Sequence, residues 1–303
     1  MSSKLKHWIS AARLRTIPLS ISGIFIGSFA AVSDKMFNVS IFLLAILTSI
    51  CYQILSNFAN DYGDGVKGTD ENRIGPKRMI QSNKISASEM KKGIFILFII
   101  SVFLTFSTVF LSLKNNFTGM LFFILLGLLA ITAAIKYTIG KNAYGYIGFG
   151  DFFVFLFFGL VSVLGSYYLF TSSINYQLIP PACTVGLLSA GVLNLNNMRD
   201  IINDRKSQKK TMAVKLGPSK SKLYHFFLII SAVFLMLFFL YKLKSPSTLL
   251  IFLIIVNVSW LIHDLYKISK ITTPIMYDKF LKPLGLSTFF YALILSMHFY
   301  KIL

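Results

Sequence analysis

Residues 40–64 read SIFLLAILTSICYQILSNFANDYGD, and the fold turns on how they are read. The 17 residues from Ser40 to Ser56 carry no charge, and two asparagines and two aspartates then follow within positions 57–64. A hydrocarbon core about 30 Å thick takes about twenty apolar residues of helix to cross. The first part therefore reads as a membrane span, and the second as polar residues gathered at its mouth.

The rest of the chain repeats this pattern. Of 303 residues, 55% are hydrophobic and 14% charged, with a mean hydropathy of +0.69; a soluble domain is about a quarter charged. Nine stretches are long enough to cross, near 17–34, 38–58, 93–113, 115–135, 152–172, 176–198, 223–241, 246–263 and 283–300. The 47 residues from Phe152 to Met198 hold no charge, but TSSINYQ at 171–177 supplies turn residues that divide the run in two. The expectation is an all-α, polytopic membrane protein, nine helices in a single bundle around a central cavity, forming one domain over residues 1–303. The basic N-terminus leads into HWISAARLRTIPLS, not into a short apolar region with a cleavage site, so it is expected to be retained.

Loop charge sets the expected orientation. The N-terminal segment and the loops 59–92, 136–151, 199–222 and 264–282 hold 25 of the 30 Lys and Arg residues. Basic residues accumulate on the cytoplasmic side, which predicts a cell (inner) membrane protein with its N-terminus and polar mouths toward the cytoplasm. Anionic lipid accounts for the net charge of +19, and no nucleic-acid partner is needed. Cys51 and Cys183 fall within spans without CxxC spacing, and the four histidines lack ligand spacing, which argues against a disulfide or a zinc site.

A second polar cluster, NLNNMRDIINDRKSQKKTMAVKLG at 194–217, follows the sixth span as the first follows the second. Asn57 precedes Asp61 by four and Asn196 precedes Asp200 by four; Asp64 and Asp204 come three and four residues later. Positions three, four and seven apart share a helix face, so each cluster is expected to project its carboxylates one way, and the two to face each other. The four-helix offset hints at an internal duplication.

Any one of these aspartates could be a hydrated helix end, since acidic groups near a membrane are costly but tolerated at its surface. Two clusters with the same Asn-x3-Asp start at equivalent places are a more specific coincidence. Hard oxygen donors without His or Cys point to Mg²⁺, which binds through one or two carboxylates together with substrate phosphates. A diphosphate of about −3 with four carboxylates and two Mg²⁺ leaves about three positive charges wanted. Arg73, Lys77 and Arg78 beside the first cluster, and Arg199, Arg205, Lys209 and Lys210 around the second, supply them. A long isoprenoid tail suits a bundle with 30 Phe and 14 Tyr, whose ring faces also attract an allylic cation.

At these residues the chain resembles the UbiA superfamily of intramembrane aromatic prenyltransferases, and within it the 1,4-dihydroxy-2-naphthoate polyprenyltransferase family. NFANDYGDGVKGTDENRIGPKRMIQS is similar to that family's first motif in its NDYxD, GxD and GPxRxxQS elements, and NNMRDIINDRKSQKKTMAVKLG to its second. WISAARLRTIPLS and KYTIGKNAYGYIGFGDFFVFLFFGLVSVLGSYY resemble further segments, with Leu14 where proline is usual and Asp151 where glutamate is common. The resemblance implies that Asp61, Asp64, Asp200 and Asp204 hold Mg²⁺ and act in catalysis. It implies that Asn57, Asn60, Arg78, Asn196, Asn197, Arg199 and Lys210 bind the diphosphate. Asp70 adds a ligand or orders its loop; Tyr137, Tyr144 and Tyr146 lie near the cation or acceptor, or else are interfacial tyrosines. The implied reaction joins the prenyl group of a polyprenyl diphosphate to 1,4-dihydroxy-2-naphthoate, with loss of CO₂ and diphosphate, to give demethylmenaquinone.

Two further readings compete. The same scaffold could serve another aromatic acceptor such as 4-hydroxybenzoate. A transporter would also place polar groups at broken helices, but near the bilayer midplane and not at one end.

Overall fold

The computed structural model describes residues 3–69, 75, 78–141 and 143–301. Among the described residues, nine helices are long and apolar enough to cross a membrane. An amphipathic helix α1 (Ser3–Ala12) precedes them. The spans are α2 (Ile17–Ser33), α3 (Val39–Val66), α4 (Ala87–Leu113), α5 (Phe117–Lys136), α6 (Gly150–Thr171), α7 (Ile179–Arg199), α9 (Met212–Lys242), α10 (Thr248–Ser269) and α11 (Asp278–Phe299); a short α8 (Ile201–Lys206) follows α7.

Local chemistry starts these helices where polar residues interrupt the hydropathy. Asn38 caps α3 by accepting from the Ser40 and Ile41 amides, and Ser86 with Glu89 forms a reciprocal capping box on α4. Thr211 caps α9, which begins well before the expected 223 because a kink joins two helical pieces. Pro218 has no N–H to continue the ladder, and Gly217 turns the chain at φ +78°, a conformation that disfavours other residues. α3 likewise runs past the expected 58 to Val66, so the first acidic cluster is helical and not in a loop.

The spans pack in two groups bridged by α2. α3, α4 and α5 pack side by side, while α7 sits against α6, α9 and α11, and α2 joins the halves through α3, α6 and α11. Small residues permit the tightest crossings: a Cβ on Gly159 would lie 2.6 Å from the Ala182 carbonyl oxygen and 2.7 Å from Gly186 Cα. That crossing coincides with a wide π-type winding of α6 over Phe155–Gly165. The loosened turns present Phe157, Phe158 and Val161 to the interior, as π segments at functional sites often do. Phe95, Phe103, Phe110, Phe117 and Phe234 point outward, where lipid and not water makes apolar exposure favourable.

Candidate functional site: an acidic pocket at the end of a membrane cavity

α3 carries the first cluster on its last turns, but the polar side chains diverge. Asp64 accepts a 2.7 Å hydrogen bond from the Tyr146 hydroxyl at Oδ1, while its Oδ2 lies 3.3 Å from the Arg78 guanidinium and 3.5 Å from Lys209 Nζ. Asp61 is turned away. Its carboxylate accepts the backbone N–H groups of Met79 (3.0 Å) and Ile80 (3.1 Å), so it anchors the turn that carries Arg78. Three residues at about 100° each leave the two side chains about 60° apart, enough to give them different partners. Asn57 is buried and donates to the Ala12 carbonyl at 2.9 Å and to Thr16 Oγ1 at 3.2 Å. It thereby pins the link between α1 and α2, whose Arg13 and Arg15 line the cavity. Asn60 accepts from Thr138 Oγ1 at 3.2 Å.

The second cluster sits at a break. α7 ends at Arg199, Asp200 occupies its C-cap, and α8 restarts at once. The Arg199 guanidinium, wholly buried, donates to both Asp200 oxygens (2.8 and 2.7 Å), to Asn196 Oδ1 (2.7 Å) and to Asp278 Oδ1 (2.5 Å). Gly75 lies against it, since a Cβ there would stand 2.9 Å from Cζ. Arg199, expected to bind the diphosphate, has each guanidinium nitrogen engaged by protein oxygens and forms a buried strut behind Asp200. After α8, Gln208 at φ +58° reverses the chain, and the Lys209 amide closes the turn on the Asp204 carbonyl at 2.8 Å. The reversal points Lys209 toward Asp64. The Lys210 amide pairs with the Tyr146 carbonyl at 2.9 Å, leaving its side chain exposed, so Lys209 takes the inward place expected of Lys210.

The two clusters meet. Asp64, Asp200 and Asp204, with Thr69, Arg78, Asn196, Asn203 and Lys209, enclose a polar pocket of about 20 Å³, room for about one water or ion. Asn203 Nδ2 crosses between the halves to the Thr69 carbonyl. Asn197 and Asp61 do not line the pocket, and Asp70, Arg73 and Lys77 lie outside the described residues.

Four of these residues, Asp64, Arg78, Asn196 and Lys209, also line a second cavity of about 390 Å³. It runs into the bundle past Tyr137, Tyr144, Phe153 and Phe157, and reaches Ala45 on α3 and Val109 on α4. From Asp64 to Ala45 is 19 residues of α3, about 28 Å at 1.5 Å per residue. Tyr137 and Tyr144 meet edge to face at 5.3 Å, and Tyr144 hydrogen-bonds the Ala133 carbonyl at 2.9 Å. Burial, then the nearby Asp151, Asp64 and Asp204 carboxylates, push the Tyr137 phenol well above its usual range. Burial and Asp64 do the same for Tyr146, whose hydroxyl keeps its proton and donates a hydrogen bond to Asp64. Lys67, lowered by burial against the pull of Asp64, lies 3.9 Å over the Tyr146 ring.

Sequence reasoning brought these elements together, while the contacts of Asp61, Arg199 and Lys210 differ from those expected of them. Asp278, Thr69 and Asn203 escaped it, as did the Tyr146 link to Asp64, because each depends on a contact between segments distant in the chain.

The model of the UbiA prenyltransferase family matches residues 20–297. A relative named 1,4-dihydroxy-2-naphthoate octaprenyltransferase in Haemophilus influenzae is 47% identical over 232 residues, 76% of this chain and 75% of that protein. Its namesake in Escherichia coli is 42% identical over 247 residues, 80% of this chain and 79% of the relative. A solved UbiA homolog from Archaeoglobus fulgidus, bound to DMAPP and Mg²⁺, shares the fold at a TM-score of 0.62 and 13% identity, covering 96% of this chain and 99% of that one. A chain matched over nearly its whole membrane bundle, with both acidic clusters at one end of an apolar cavity, belongs to the UbiA prenyltransferase family.

Proposed function

We propose that this protein transfers the prenyl group of a polyprenyl diphosphate to 1,4-dihydroxy-2-naphthoate, releasing CO₂ and diphosphate and forming demethylmenaquinol, which oxidises to demethylmenaquinone in a separate step, with the acidic pocket facing the cytoplasm. The observation that carries the reading is the continuity of a polar pocket, lined by carboxylates of both clusters, with a long apolar cavity. A charged head and a hydrocarbon tail on one molecule require that pairing. The naphthoate acceptor rests on the names of the relatives and on the GPKRMIQS extension of the first motif.

The donor set suits Mg²⁺. Among the described residues no three acidic, His or Cys groups converge to cage an ion alone, which fits a metal that keeps waters and is completed by substrate phosphates. One or two of the carboxylates that line the pocket, Asp64, Asp200 and Asp204, would hold it together with waters and substrate phosphates, with Asn196 beside them. Bound there, Mg²⁺ neutralises charge on the departing diphosphate.

The chain's own residues do the rest. Arg78 and Lys209, which line the pocket, would bind phosphate oxygens, and Arg199 and Asp61 hold the flanking segments in place. The allylic C–O bond breaks with its electron pair leaving on diphosphate. The ring carbon bearing the carboxylate then bonds to the allylic carbon, and the C–CO₂ bond breaks to restore aromaticity, so no net proton is released. The aromatic faces of Tyr137, Tyr144, Phe153 and Phe157 attract the developing cation and keep water from it. The tail extends toward Ala45.

Membranes containing the protein, given dihydroxynaphthoate, a polyprenyl diphosphate and Mg²⁺, should yield CO₂ and demethylmenaquinol, read by mass spectrometry as demethylmenaquinone after oxidation in air. Product from 4-hydroxybenzoate alone would overturn the acceptor, and chelation with EDTA that left turnover intact would overturn the metal.

A further inference from the structure

Tyr146 belongs to neither acidic cluster and does not line the apolar cavity, yet it touches both halves of the pocket. Its hydroxyl donates to Asp64 Oδ1 at 2.7 Å and lies 3.2 Å from Thr69 Oγ1. Its ring faces two ammonium groups, Lys67 at 3.9 Å and Lys209 at 5.1 Å from the centroid. Its carbonyl accepts the Lys210 amide at 2.9 Å, which ties down the segment just after the second cluster. The connection between α5 and α6 supplies this residue from a short 3-10 turn, Tyr144–Tyr146. Lys215 Nζ braces the same turn through the Ile147 carbonyl at 2.7 Å.

The geometry points to Tyr146 as a positioning residue that sets Asp64 of the first cluster and Lys209 of the second in one register before the diphosphate arrives. The inference rests on the pocket being a metal–diphosphate clamp. A carboxylate on a helix end can rotate, and a fixed O–H donor on Oδ1 selects one orientation, leaving the lone pairs of Oδ2 toward the pocket. A ring face attracts cations at its centre, so the same side chain limits where Lys209 rests. Holding both in advance spares the ligand the cost of ordering them. Without Tyr146 the two halves remain joined through Asn203 and Thr69, and Asp64 keeps its ion pairs with Arg78 and Lys209, but the carboxylate loses the hydrogen bond that fixes Oδ1 and the lysine loses the ring that limits its place.

The test uses purified full-length protein in detergent, with Mn²⁺ and inorganic pyrophosphate as probes and bound Mn²⁺ read by electron paramagnetic resonance. Binding is measured where circular dichroism shows each variant folded. Wild type should bind Mn²⁺ with pyrophosphate and Asp64→Ala should lose it. Tyr146→Phe should bind about tenfold more weakly, the effect of about one charge-assisted hydrogen bond, and Tyr146→Leu, which also removes the ring, more weakly still. The KM for prenyl diphosphate should rise with the same factors while kcat changes less. Wild-type affinity in Tyr146→Phe would overturn the positioning role and leave the clamp standing. A wild-type protein that binds no Mn²⁺ with pyrophosphate, or an Asp64→Ala protein that binds as wild type does, would overturn the clamp and this inference together.

Discussion

Arg199 grips both carboxylate oxygens of its own neighbour, Asp200, at 2.8 and 2.7 Å, and does so from a wholly buried position at the break between α7 and α8. A helix cannot bring adjacent side chains together in this way, because successive residues point about 100° apart. The break at Asp200 allows it, and Asp278 on α11 completes the cage.

Removing the strut should therefore cost stability before it costs chemistry. Arg199→Ala takes from buried Asp200 the guanidinium that pairs with both of its oxygens, and losing one member of such a pair costs about 3 kcal/mol or more. Asp278 is partly exposed and adds little to that figure. Arg199→Lys keeps a charge but not the planar fork, so its melting midpoint in detergent should fall between Arg199→Ala and wild type. Equal midpoints for all three proteins would contradict the strut.

Asp61 and Asp64 should separate by phenotype. Asp64→Asn removes a carboxylate from the pocket and should lower kcat by about two orders of magnitude or more, on the scale of other lost electrostatic groups in active sites. Asp61→Asn keeps one acceptor oxygen for two backbone amides, so it should loosen the turn at Met79 and Ile80 and destabilise the fold by about 1–2 kcal/mol. Its effect on turnover should appear chiefly as a higher KM for the diphosphate, through Arg78. Identical kinetics in the two variants would mean that Asp61 also reaches the ligand.

Neighbouring lysines provide a sharper contrast. Lys209→Ala removes a cation 3.5 Å from Asp64 and should raise the KM for prenyl diphosphate about tenfold or more. Lys210→Ala, exposed and turned outward, should stay within about twofold. Steady-state kinetics with one donor of fixed length decides between them, and a larger effect at Lys210 would refute the inward role of Lys209.

Depth of the cavity should govern the length of the tail. Ala45 is buried and lines the end remote from Asp64, so Ala45→Phe should fill that end. Donors with long tails should lose about tenfold in kcat/KM relative to geranyl diphosphate, read by competition between the two. An unchanged ratio would mean that the tail leaves the cavity before it reaches α3's far end.

Much of the architecture was legible in the amino-acid order for a simple reason: a bilayer demands long apolar helices, and each of the nine announces itself within its own twenty residues. The caps at Asn38, Ser86 and Thr211 are equally local, and so is the gathering of Asn57, Asp61 and Asp64 at one helix end, with Asn196, Asp200 and Asp204 at another. What each side chain touches there was decided only by tertiary structure. A helix period assigns a direction to within about 60°, and across that interval Asp61 meets the amides of Met79 and Ile80 while Asp64 meets Tyr146 and Lys209. A single left-handed residue, Gln208, decides that Lys209 and not Lys210 faces inward. Arg199 and Asp278, 79 residues apart, become partners only when α7 and α11 pack. Hydropathy and periodicity act along the chain, and so they determined the spans and the two polar ends; hydrogen bonds act across the folded bundle, and they alone chose which carboxylates face the pocket and which brace its walls.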